Sequence, residues 1–129
     1  MSILYSLIES PTHQDFSQLY KELGLEELKI NSHRKAIKLL KRKPPNWVVA
    51  EFFYGFGNNY AGVIISNLDV FLHSLQKYAP NASVIVFAAP QDFKYVGELT
   101  SRFNIFAVLK NPVKKTDLED ILRKKISAH

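Results

Sequence analysis

The chain of 129 residues contains no cysteine, which excludes disulfides, thiol nucleophiles and thiolate metal sites and leaves the compartment open. It also lacks any apolar run close to the roughly 20 residues that a membrane-spanning helix requires. The longest, "NWVVAEFFYGF", is broken by Glu51. The opening "MSILYSLIES" has no basic leading region and reaches a carboxylate at Glu9, so no secretory signal is expected and the protein is placed in the cytoplasm, away from membranes. His13, His33, His73 and His129 show no ligand spacing, so they are expected as isolated surface histidines and no metal centre is expected. Glycine is scarce, and three of the five glycines lie in "YGFGNNYAG". That stretch matches neither the dinucleotide fingerprint nor the phosphate-binding loop. The triplet "NAS" at 81–83 is a glycosylation pattern without meaning in a cytoplasmic chain.

What the chain does have is 47% hydrophobic residues, enough for one domain over residues 1–129 with a real core. Segments 2–8, 46–53, 82–89 and 105–110 are short, almost continuous apolar runs rich in Val, Ile and aromatics. Strands covered on both faces have this composition. A weaker run at 26–32 fits an edge strand. Between them the period becomes helical. Phe16, Leu19, Tyr20 and Leu23 make one stripe, stopped by Gly24, and Ala36, Ile37, Leu39 and Leu40 make a second, ended by Pro44 and Pro45. A third runs through Val70, Phe71, Leu75 and Tyr78, with Ser66 and Asn67 as caps and Pro80 beyond, and a fourth through Phe93, Val96, Leu99 and Phe103. Thr116 and Glu119 have the spacing of a capping box ahead of a last helix. Five strand–helix alternations predict a parallel α/β sheet with helices on both faces. The flavodoxin-like order 2-1-3-4-5 is the expected solution, with its functional crevice at the carboxyl ends of strands 1 and 3. The stretch "EFFYGFGNNY" at 51–60 runs off the end of that third strand.

Three quoted segments carry a resemblance: "SHRKAIKLLKRKPPNWVVAEF", "SVIVFAAP" and "FAVLKNPVKKTDLEDIL". Over nearly its full length the chain resembles the CheY-like receiver domain of response regulators. The resemblance implies a pocket with an acidic pair after strand 1, a phospho-accepting aspartate after strand 3, a hydroxyl after strand 4 and a lysine before a proline after strand 5. In this chain Ile8 and Glu9 align with the acidic pair, Glu51 with the acceptor, Ala88 with the hydroxyl, and Asn111 with the lysine, Lys110 being one residue early. Val108 takes the place of the family's aromatic switch residue. Phosphoryl transfer asks a protein mainly for positioning and charge stabilisation. One fewer carboxylate and a longer acceptor should weaken any Mg²⁺ site, and a one-residue shift on a strand turns a side chain to the other face. Metal is therefore expected to be absent, or held weakly by Glu9 and Glu51. Asn111-Pro112 aligns with a turn that carries a cis bond in the family.

The resemblance implies a degenerate, stand-alone pseudo-receiver that acts in signalling through a protein partner, not an enzyme and with no cofactor. Glu51 would then be a fixed charge, and the enlarged loop 54–62 a plug over the crevice or a partner surface carrying Tyr54, Phe56 and Tyr60. By the same resemblance Lys94, Tyr95, Val108 and Lys115 mark a second surface that could join two copies as a homodimer. An alternative is a receiver that responds to phosphorylation through Glu51, Mg²⁺ and a realigned Lys110. The basic set Arg34, Lys35, Lys38, Lys41, Arg42 and Lys43 on the second helix supplies a further alternative, a nucleic-acid accessory role. With no helix-turn-helix or RNA-binding signature beside it, nucleic acid is the less favoured partner.

Overall fold

The computed structural model describes residues 2–11, 13–55 and 66–127. Its strands form where the apolar runs are densest, because those runs satisfy both faces of a covered sheet. β1 (Ser2–Leu7), β2 (Leu25–Lys29), β3 (Trp47–Phe52), β4 (Ser83–Ala88) and β5 (Ala107–Lys110) make one parallel sheet in the order β2-β1-β3-β4-β5. Every residue of β3 and β4 is buried, whereas the edge strands β2 and β5 are largely half-buried. The helices are α1 (Ser17–Glu22), α2 (His33–Leu39), α3 (Asp69–Tyr78), α4 (Val96–Thr100, entered through a 3-10 turn at Phe93–Tyr95) and α5 (Lys115–Ser127). Gly24, at φ 75°, supplies the left-handed residue between α1 and β2 that other side chains rarely adopt.

Alternation along each strand sorts its side chains between two cores. Val48, Ala50 and Phe52 of β3, with Val84, Val86 and Ala88 of β4, pack towards α2, α3 and α4. Trp47 and Val49 of β3, with Ile85 and Phe87 of β4, pack towards α1 and α5. The register aligns Trp47 with Ser83 and Glu51 with Phe87, so Glu51 shares the parity of the α1/α5 face. Ala36 is fully buried, where the inward face of α2 meets the sheet; a larger side chain there would overpack the contact.

Several boundaries differ from the sequence expectation: β2 ends at Lys29, short of the expected 32, and β5 begins at Ala107, past the expected 105. Thr116 and Glu119 do not form a capping box: the carbonyl of Lys114 accepts the N–H groups of Asp117 and Leu118, so the helix starts ahead of Thr116. Glu119 instead reaches forward to Arg123, 2.7 Å away. Just ahead of the helix, the Val113 side chain is buried in the same cluster as Leu118 and Leu122. The stripe through Phe93 and Phe103 is only partly α-helical, since Phe93–Tyr95 is a 3-10 turn and Phe103 lies beyond α4. Finally, α2 ends at Leu39, so Lys41, Arg42 and Lys43 belong to the turn that follows it. A residue before a proline is disfavoured in the α region, and Pro44 ends the segment.

Tyr5 ties that turn to the sheet. Its hydroxyl donates to the Lys43 carbonyl at 2.6 Å, and burial pushes its phenol up to about 12. Burial also raises Tyr20, with Glu27 and Asp15 adding repulsion. An unfolded phenol ionises near pH 10, so a folded phenol held neutral contributes stability that is complete below that pH and is lost as pH rises through the folded value. Urea unfolding midpoints should therefore fall between pH 10 and about 12. Tyr5→Phe should flatten part of that fall; an unchanged slope would show that the Tyr5 phenol is not held neutral by the fold.

Candidate functional site

Where β3 runs out of the sheet, Glu51 is only 3% exposed. A carboxylate in such a place must be met by hydrogen bonds or it costs several kcal/mol, about 2–7 for even a neutral polar group. The donors come from the loop after β1. Glu51 Oε1 accepts the backbone N–H of Glu9 at 2.6 Å and of Ser10 at 2.8 Å. Beyond Leu7 the chain has left the ladder, and its amides need another acceptor. These bonds, short and charge-assisted, are among the stronger kinds in proteins.

A shallow cavity of about 270 Å³ opens beside Glu51, lined by Ser10, His13, Gln14, Asn111 and Pro112. Its walls are stitched together across the sheet ends. Gln14 binds the backbone of Val113 with both ends of its amide, donating from Nε2 to the carbonyl at 2.7 Å and accepting the N–H at Oε1 at 2.8 Å. The His13 ring lies flat on Phe87, with centroids 5.3 Å apart. Its Nδ1 is 3.0 Å from the Gln14 carbonyl and its Nε2 3.2 Å from Asn111 Oδ1. Asn111 donates its N–H to the Ala88 carbonyl at 2.8 Å, and the Asn111-Pro112 bond is cis.

The sequence-predicted residues divide into those brought to this cavity and those turned away from it. Glu51 and Asn111 line it, and Glu9 contributes a backbone amide. The Glu9 carboxylate points elsewhere, with Oε1 3.6 Å from His33 Nε2. Ala88 is buried in the core on the opposite face of the sheet. Lys110 pairs with Ala88 in register, and its ammonium stands 5.0 Å from the centre of the Phe93 ring. Mg²⁺ asks for several oxygen ligands in near-octahedral array. Here Glu51 is the one carboxylate among the described residues lining the cavity, and one of its oxygens is taken by two amides. That donor set fits Mg²⁺ poorly.

Above the cavity, Asn67 clamps the stem of the enlarged loop. Its Nδ2 donates to the Glu51 carbonyl at 2.8 Å, its Oδ1 accepts the Phe53 N–H at 2.7 Å, and Tyr54 forms an isolated bridge to Ser66. Ser66 Oγ accepts the N–H of Leu68 at 3.1 Å and donates to Asp69 Oδ1 at 2.7 Å, which starts α3. Tyr54 is 43% exposed. It stacks on Tyr95 with centroids 3.7 Å apart, and Lys94 Nζ lies 5.2 Å from the Tyr95 ring centre. Phe56 and Tyr60, the other two aromatic candidates, and the rest of the loop up to residue 65 lie outside the described residues, as does His129. Arg34, Lys35, Lys38, Lys41, Arg42 and Lys43 are all exposed.

No protein-family model matches the chain, and no curated protein matches it. Solved structures do. A response regulator receiver domain protein from Clostridium thermocellum superposes with a TM-score of 0.74 at 18% identity, over 99% of this chain and 96% of that one. The chain has the receiver fold. The inactive form of the regulatory domain of the repressor of iron transport regulator matches at TM-score 0.72 and 12% identity, over 100% of this chain and 98% of that one. A protein from a family of redox sensors in the streptococci, evolved from two-component response regulators, matches at 0.73 and 14%, over 99% of this chain and 54% of that one. Within the receiver fold, sequence reasoning missed the three residues that shape this site, His13, Gln14 and Asn67. Asn67 carries only the local signal of a helix cap, and the other two carry no local motif, because their partners lie 98 and 99 positions away.

Replacing Glu51 with alanine removes the acceptor of two partly buried amides. Each orphaned donor costs about 1–3 kcal/mol, so Glu51→Ala should lower the unfolding free energy by about 2–6 kcal/mol. Both amides meet the same oxygen, so Glu51→Gln keeps their acceptor, loses the charge and should cost less than Glu51→Ala. Urea denaturation checks the ranking; equal and negligible losses would mean that the carboxylate does not hold the loop.

Proposed function

We propose that residues 1–129 are a receiver-like domain that acts in signalling or regulation by contact with a protein partner, with no phosphoryl transfer or other catalysis of its own. One observation carries the reading: the carboxylate at the acceptor position is 3% exposed and already bonded to the Glu9 and Ser10 amides. An attacking carboxylate must present a free oxygen in line with the phosphoryl donor; here Oε1 is held by the two loop amides, and the 3% exposure of Glu51 leaves its other oxygen little room for an in-line approach. Two further placements support it. The Lys110 ammonium lies over Phe93 and Ala88 offers no hydroxyl, so developing phosphoryl charge would meet neither of the groups the chemistry uses.

Glu51 on this reading is a permanent negative charge that does the structural part of a phosphorylated acceptor's work by ordering the loop above it. The signal would leave through contacts, and the stacked Tyr54–Tyr95 pair with Lys94 beside it is the described surface best suited to them: aromatic rings anchor partners at low entropic cost. The streptococcal redox sensors show that proteins of this fold have taken up inputs other than the two-component one. In this chain a thiol-based version of such an input is excluded by the absence of cysteine.

Backbone-amide NMR with Mg²⁺ followed by beryllofluoride tests the proposal directly. The expected outcome is no saturable shift at Glu9, Ser10, Glu51 or Asn111 with either reagent, and no mass adduct after incubation with acetyl phosphate. Saturable shifts centred on Glu51, or a phosphoryl adduct lost in Glu51→Gln, would replace this reading with that of a phosphorylation-responsive receiver.

A further inference from the structure

We infer that the face made by α2, the turn after it and the end of α3 is a docking surface for the phosphate backbone of duplex nucleic acid. The charge of this protein is segregated. Of its 17 lysines and arginines, seven fall between Leu28 and Ala50, a span with no aspartate or glutamate. The remaining ten are outnumbered by the 12 acidic residues, so the whole positive excess of the molecule comes from this one span. The fold then concentrates it. Arg34, Lys35 and Lys38 project from α2, and Lys41 and Arg42 from the turn, all exposed. Among the described residues none of these five is ion-paired, whereas Lys29 and Lys43 at the margins pair with Asp15 and Glu26. α3 packs beside α2 and adds Lys77, the only lysine, arginine or acidic residue between Val70 and Gln91.

The chemistry of the face selects among polyanions. A protein partner calls for exposed apolar anchors as well as charge, and stable docking on a lipid surface for an inserted apolar face or acyl chain beside the basic patch. The exposed large apolar side chains among the described residues are Tyr54, Val70, Phe106 and Ile126, and none lies on α2 or its turn. The aromatic ring present, Tyr78, is covered by cations: Lys41 Nζ lies 5.6 Å and Lys77 Nζ 5.4 Å from its centre. A ring engaged in this way offers little to a base, so the stacking that single strands use is not provided. What remains is an array of ammonium and guanidinium groups on a rigid scaffold, which reads phosphate by charge and carries no sequence information. The surface is separate from the Glu51 cavity, so this inference stands or falls independently of the proposal above.

Fluorescence anisotropy with a labelled DNA duplex of about 20 base pairs tests it. Raising salt from about 50 to about 200 mM should weaken binding roughly a hundredfold, as about four phosphate contacts would, and duplexes of different sequence should bind alike. The triple variant Lys38→Glu, Lys41→Glu, Arg42→Glu should lose binding at low salt. A control with the same net charge, Lys21→Glu, Lys114→Glu, Lys115→Glu, should retain it. If the reversed triple does not fold, Lys38→Gln, Lys41→Gln, Arg42→Gln should still weaken binding at least tenfold. The inference is overturned if the unmodified protein does not bind at low salt, if the control loses as much as the α2 triple, or if polyglutamate displaces the duplex as effectively as unlabelled duplex does, which would assign the face to acidic polypeptide.

Discussion

The contact on which this end of the molecule depends is the pair of hydrogen bonds from the Glu9 and Ser10 amides to one oxygen of Glu51. A charge with 3% exposure cannot be left unmet, and loop amides leaving a sheet cannot be left unmet either. Each solves the other's problem. Once the loop is held there, His13 reaches Phe87 and Asn111, and Gln14 reaches the backbone of Val113. The loops after β1 and β5 are thereby joined over the end of β3, and Asn67 binds the third loop to the Glu51 carbonyl itself. The polar groups of the three loops thus hold one another through bonds between segments far apart in the chain.

Sheet parity explains why the remaining candidates do not converge on it. Side chains alternate faces along a strand, and the register sets Glu51 beside Phe87 and Phe52 beside Ala88. Ala88 and Lys110, paired with each other, belong to the face covered by α2, α3 and α4, whereas Glu51 belongs to the other. A lysine one residue later on β5 would have changed sides. At that later position the chain carries Asn111, whose neutral amide meets His13, so the place where positive charge would serve phosphoryl chemistry is filled by a side chain that closes a structural contact.

How much of this was legible in the sequence depended on how local the cause was. The apolar runs of β1, β3 and β4 and the alternation between them were sufficient for the parallel sheet, because burial on both faces dictates composition residue by residue, whereas its order followed from the usual solution for five such units. Gly24 marked its turn for an equally local reason. The capping box at Thr116 failed because the chain is already helical at Lys115, with the Lys114 carbonyl accepting the first amides, and no local motif marks that start. The same holds in the site. Glu51 could be found from its place at a strand end, but that its carboxylate serves amides 41 and 42 positions earlier could not. His13 and Gln14 looked like ordinary loop residues because what gives them a role is the approach of a segment nearly a hundred residues away.

The two ends of α2 illustrate how the fold separates tasks. His33 begins the helix near the Glu51 end of the sheet, with Nε2 3.6 Å from the Glu9 carboxylate, and the helix then runs back to a turn that leads into β3. Basic residues gather along its outer side and in that turn, where the negative end of a helix favours them. The dipole of a seven-residue helix accounts for a lysine or two in the last turn, such as Lys38. It does not account for Arg34 and Lys35 in the first turn, where the dipole opposes them, nor for the lack of any acidic residue from Leu28 to Ala50. A solvated face assembled without constraint mixes signs, because like charges side by side repel and opposite ones offset each other. On the reading of this face as a phosphate-docking surface, a bound anion would relieve the repulsion that the run along α2 otherwise tolerates.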